Sequence, residues 1–204
     1  MKRLGLLPLP VLTIALVLGG TALAQNVGDN SVYFVTYYSN APHSDAVPDQ
    51  TVRIINDGDT GADLWASFYV YDDSQEMQAC CSCGVTPDGL LSESVRRNLA
   101  NNPLTGIPVS HGIIKIISSS VNASGPNFTN TTMPGLRGWA THVQSVRNQY
   151  PYGPAGYSQT ETALTASDLG LSDKTMQEEL CFYIHLLGGG HQGVCGCTPE
   201  DLDF

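Results

Sequence analysis

Six cysteines in three groups constrain this 204-residue chain more than any other feature. Cys80, Cys81 and Cys83 stand together, Cys181 stands alone, and one residue separates Cys195 from Cys197. An even cysteine count in an exported protein reads as a disulfide framework, and six cysteines admit fifteen pairings. Close neighbours rarely join each other, because a bridge wants Cα atoms about 4.4 to 6.8 Å apart and the intervening peptide is planar and trans. The three early cysteines are therefore expected to bond the three late ones, with the individual partners left open. Each bridge would close a loop of about 100 residues, worth on the order of 4 kcal/mol in the loop-entropy treatment and less for the second and third.

Metal binding competes with bracing. Cys-x-Cys thiolates are soft donors, and His185 and His191 lie close in sequence to Cys195 and Cys197, a set suited to zinc or copper if the thiols stay reduced. Against it, zinc ribbons place two to four residues between paired cysteines, and here there is one. A thiol-redox pair is the third reading, although the Cys-x-x-Cys arrangement is absent.

The compartment decides among these readings, and the N-terminus speaks to it. Met1-Lys2-Arg3 supplies a positive start, Leu4 to Leu18 is apolar apart from Gly5, Pro8, Pro10 and Thr13, and Ala22-Leu23-Ala24 has the small residues of a cleavage site. Residues 1–24 thus read as a secretory signal peptide, and 25–204 as one mature domain in the periplasm or outside the cell. Pro8 and Pro10 break a helix and the apolar run falls short of the roughly 20 residues that span a bilayer, so no transmembrane anchor is expected. Loss of Lys2 and Arg3 takes the net charge from -10 to about -12. That acidity repels phosphate backbones and argues against nucleic acid as a partner. With 42% hydrophobic and 14% charged residues, the chain is too apolar to stay disordered.

Runs rich in Val, Ile, Tyr, Phe and Thr predict strands at 31–38, 51–56, 64–71, 112–118, 136–146 and 157–164. The stretch Asn56 to Gly61 (NDGDTG) has the residues of a hairpin loop between the second and third. Two short helices are expected. Thr86-Pro87-Asp88 resembles a helix start, with Leu91, Val95 and Leu99 at intervals of four before Asn101-Asn102-Pro103. Later, Thr175 and Glu178 suggest a capping box, Met176, Leu180 and Leu187 a buried face, and Gly188 a stop. The expected fold is mainly β, an antiparallel β-sandwich with two short helices, braced by disulfides.

The sequons at Asn122, Asn127 and Asn130 are possible glycan acceptors in an exported protein. Asp57, Asp59 and Asp63 offer hard oxygen ligands for calcium, but Gly61 and Phe68 occupy positions where an EF-hand needs ligands. No nucleophile elbow, phosphate-binding loop, dinucleotide fingerprint or metalloprotease helix is present.

The run from Cys80 to Leu90 (CCSCGVTPDGL), with Asn98 to Pro103, Trp139 to Val143 and the Gly-Val-Cys-Gly-Cys at 193–197, resembles a group of uncharacterised, signal-peptide-bearing bacterial proteins. The resemblance implies export and cysteine bracing, and assigns no activity and no catalytic residue. The expectation is a non-enzymatic surface or extracellular module binding a protein or glycan at the cell exterior without a cofactor. The alternative is an exported metal-binding or thiol-redox protein, with zinc, copper or calcium as the candidate ion.

Overall fold

Runs of β-branched and aromatic residues build two antiparallel sheets. The computed structural model describes residues 30–39, 47–107, 109–123, 128–146 and 156–197; the expected signal peptide lies outside them. The strands are β1 (Tyr33–Ser39), β2 (Thr51–Asn56), β3 (Leu64–Asp72), β4 (Met77–Val85), β5 (Leu90–Ser94), β6 (His111–Ser119), β7 (Leu136–Val146), β8 (Gly156–Ala163) and β9 (Thr165–Ala166). A π-helical turn (Val95–Leu99) follows β5, and the helix α1 (Leu171–Leu187) follows β9. One sheet has the order β4-β3-β6-β1-β9 and the other β5-β2-β7-β8.

Strand periodicity explains the core. On β3, Leu64, Ala66, Phe68 and Val70 join a cluster shared with Val52 and Ile54 of β2 and Leu136 and Ala140 of β7, so side chains of both sheets meet there. The intervening Tyr69 and Tyr71 face the other way, with Tyr33, Ile117, and Cys181 and Ile184 of α1. The five-stranded sheet is therefore covered on both faces. Gly112 sits where β6 passes Tyr71 and Tyr38 so closely that a Cβ would collide with the Tyr71 carbonyl.

Three expectations about elements are corrected. Residues 90–94 form a strand paired with β2, and the helix expected there is reduced to the single π turn. Leu91, Val95 and Leu99 are nonetheless buried, because a spacing of four keeps one face in a strand as well as in a helix. The 56–61 loop is no hairpin, since β2 and β3 belong to different sheets. Buried Asn56 turns the chain there, its Nδ2 donating to the Ala62 and Val85 carbonyls at 2.9 and 3.0 Å. Helix α1 begins four residues before Thr175, and Glu178 does not cap it: its Oε1 accepts from Lys174 Nζ and from the Asn130 backbone and side chain. The buried face is Gln177, Cys181 and Ile184, whereas Met176, Leu180 and Leu187 are exposed.

Candidate functional site

Three adjacent cysteines reach three separate partners because a β-strand alternates its side chains. Along β4, Cys80 faces the α1 side, while Cys81 and Cys83 face the inter-sheet cluster. Cys80 bonds Cys181, Cys81 bonds Cys195 and Cys83 bonds Cys197, with Cα separations of 5.8, 5.2 and 5.3 Å. Each early cysteine is thus joined to a late one across 101 to 114 residues. The last described segment is also docked by its backbone: Cys80 N donates to Gly193 O at 2.9 Å and Gly196 N to Asn98 O at 2.8 Å. Gly193 has φ +76°, and a Cβ there would collide with Ile184, so this approach to β4 requires glycine.

The four-residue metal set is not assembled. His185 lies by the Cys80–Cys181 bridge, its Nε2 3.2 Å from the Cys80 carbonyl; a carbonyl only accepts, so Nε2 carries the proton and is no ligand there. His191 stands in the turn after α1 with φ 70°, and its carbonyl accepts from Asn102 Nδ2. Among the described residues the groups with metal-ligand spacing are Cys80, Cys181 and His185, and Cys81, Cys83 and Cys197. Neither contains His191. Asp57, Asp59 and Asp63 form no such group among the described residues: Asp57 pairs with Arg137 and receives Asp59 N, the contacts of a turn.

Of the three sequons, Asn122 is exposed and Asn127 lies outside the described residues. Asn130 is overturned as a glycan acceptor of the folded chain. It is buried, its Nδ2 donates to Tyr69 Oη at 2.7 Å and Glu178 Oε1 at 3.0 Å, and its Oδ1 accepts from Ser67 Oγ at 2.7 Å. A glycosyl nitrogen would lose those bonds and have no room. Burial also raises the Tyr69 hydroxyl above its ordinary pKa, so it stays protonated.

A groove of about 330 Å³ opens where the β1 edge meets β7 and β8, lined among others by Val35, Tyr37, Ile113, His142, Thr162 and Thr165. The His142 ring is buried and stacks on Tyr37 with centroids 4.1 Å apart. Its Nε2 lies 2.8 Å from Thr162 Oγ1 and its Nδ1 3.4 Å from Gln50 Nε2. Gln50 Nε2 also donates to Tyr37 O, and Gln50 Oε1 accepts from Ser39 N. Because an amide nitrogen only donates, Nδ1 must accept, which leaves Nε2 protonated and the imidazole neutral. Burial lowers the His142 pKa in the same direction. The groove is an apolar slot with neutral hydrogen-bonding groups at one wall, fitted to binding through shape and amide or hydroxyl contacts.

Elsewhere, Ser94 Oγ donates to Asp49 and accepts from Arg97 N at 2.9 Å. That contact caps the π turn. His111, His142 and His185 form these hydrogen bonds with hydroxyl, amide or backbone groups, so none of the bonds aims a histidine by a carboxylate. Gln50 and Thr162 carried no recognisable sequence signal, since their roles arise only where two sheets meet.

No family model and no curated protein matches the chain. A solved structure described as the crystal structure of Thermotoga maritima 1070 is similar at 12% identity, covering 68% of this chain and 97% of that one, with a TM-score of 0.43. A likeness that slight carries no argument. The protein is mainly β, with two antiparallel sheets and three disulfides among the described residues. Among the described residues no helix is long and apolar enough to cross a membrane. Both features are compatible with an extracellular location.

Proposed function

We propose that the chain is an exported, disulfide-stabilised β-sandwich module that acts as a non-enzymatic interaction protein at the cell exterior. The observation that carries this reading is the bracing: three bridges tie β4 to α1 and to the segment ending at Cys197. A domain of this size can bury enough apolar surface to fold without bridges. Three of them favour persistence in an oxidising exterior. The signal-peptide pattern of residues 1–24 and the resemblance to exported bacterial proteins point the same way.

The outer face of α1 favours a protein partner over a glycan. On its last two turns Tyr183, Leu186 and Leu187 are each more than half exposed, and neighbouring exposed apolar side chains mark contact sites for other proteins. The test has two arms. Peptide mapping under non-reducing conditions, on protein recovered from its host, should find the three bridges and a chain beginning at Gln25; six free thiols would overturn the reading. Capture from the host's cell exterior should then recover a partner with the wild type and lose it with Leu186→Glu/Leu187→Glu. Identical capture by both would remove α1 from the interface.

A further inference from the structure

Two of the three bridges lie side by side. Cys81 and Cys83 stand two residues apart on β4, with their sulfurs 3.9 Å apart on one face of the strand. The sulfurs of Cys81, Cys83 and Cys197 all fall within 4.8 Å of one another, and Cys195 is bonded to the first of them. Four sulfurs therefore occupy one small volume at the edge of the inter-sheet core. Tetrahedral zinc holds sulfur at about 2.3 Å, which sets the sulfurs about 3.8 Å apart. The Cys81 to Cys83 spacing already matches that edge. The one-residue separation that disfavours zinc in a loop is suited to a strand, where residues i and i+2 share a face.

We propose that Cys81, Cys83, Cys195 and Cys197 form a redox-gated tetrathiolate site, closed as two disulfides when oxidised and taking up Zn2+ when a dithiol reduces them. Access begins at Cys197, the exposed member of the four. A dithiol thiolate attacks its sulfur, the Cys83–Cys197 bond breaks, and the second thiol of the reductant displaces Cys197 as it closes its own disulfide. A second dithiol does the same to Cys81–Cys195, so four electrons and four protons arrive in all. Cys81, Cys83 and Cys195 are buried, and buried thiolates are costly unless a cation neutralises them. Zn2+ offsets two of the four thiolate charges and shares the rest through coordinate bonds, and its binding releases the thiol protons to solvent. Cys80–Cys181 plays no part, since it faces the opposite side of the sheet. The site is independent of the interaction reading and adds a second state to the same fold.

Cobalt uptake tests it. Wild type, C80S/C181S and C83S/C197S proteins are reduced with dithiothreitol, desalted without oxygen and titrated with Co2+ and then Zn2+. Reduced wild type and reduced C80S/C181S should each bind one Co2+ with thiolate-to-cobalt charge-transfer absorption that Zn2+ abolishes. Oxidised wild type and reduced C83S/C197S should show none. A full cobalt spectrum from C83S/C197S, or no uptake by reduced C80S/C181S, overturns the proposal. Far-ultraviolet circular dichroism guards against a trivial loss of fold: if reduction melts the β-sheet signal and Zn2+ fails to restore it, the proposal is also overturned.

Discussion

The two faces of the five-stranded sheet are held by different physics. Toward the second sheet lie Leu64, Phe68, Val70, Ile114 and Ile116, all fully buried and apolar. Toward α1 lie Tyr33, Tyr69 and Tyr71, with a polar chain running from Ser82 through Ser67 to Asn130, which bonds both Tyr69 and Glu178. The inner face gains stability from area removed from water, about 25 cal/mol per Å². The outer face buries less and relies on hydrogen bonds, each worth about 1 kcal/mol net, and on the bridge at Cys181. Consequently α1 is the element most able to separate from an otherwise intact body.

Replacements on the two faces should expose that difference. Phe68→Ala, in the apolar layer, should cost about 3 to 5 kcal/mol in denaturant unfolding and lower the whole transition. C80S/C181S should cost about 2 to 4 kcal/mol, and hydrogen exchange should locate the effect: amides of α1 lose protection while those of β3 and β6 keep theirs. Uniform loss of protection would mean that the two faces are one cooperative unit. Asn130→Ala should cost about 1 to 3 kcal/mol, because it strands the Tyr69, Ser67 and Glu178 groups it serves; no change would remove the polar chain as a source of outer-face stability.

The smallest effect belongs to the His142 groove, which joins the two sheets at their edge. Burial depresses the folded pKa below 6.5, so between the two values the unfolded chain binds more protons. Stability from this residue is therefore complete above about pH 6.5 and declines as pH falls through the folded pKa. His142→Gln should flatten that acid limb of the stability profile. An imidazole titrating by NMR above its ordinary value would contradict the assigned hydrogen bonds.

Strands were readable where one face is apolar and the other polar. The bounds of β2 and β7 coincide with the expected runs, since Val52 and Ile54, and Leu136 and Ala140, alternate with exposed or half-exposed neighbours. β4 was missed because cysteine belongs to neither pattern, although Cys81 and Cys83 at a spacing of two hold the period of a strand. The helix expected between Thr86 and Asn101 failed because an interval of four is even and fits both geometries. On α1 the buried stripe of Gln177, Cys181 and Ile184 is less apolar than the exposed one, so hydrophobic patterning pointed to the wrong face. The cysteine groups were visible from the start, but their pairing needed the alternation that sends Cys80 one way and Cys81 the other.

Gln50 has a consequence beyond the groove. β9 pairs with β1 only at Phe34 and Val35, and further along the same edge the Gln50 amide takes the Tyr37 carbonyl and the Ser39 amide. Those are the two bonds that an incoming strand would make. A single side chain thus counterfeits a strand residue and occupies an edge that would otherwise recruit other chains into fibrils or swapped dimers. One glutamine therefore serves as a guard against self-association that no bridge on the far side of the sheet can supply.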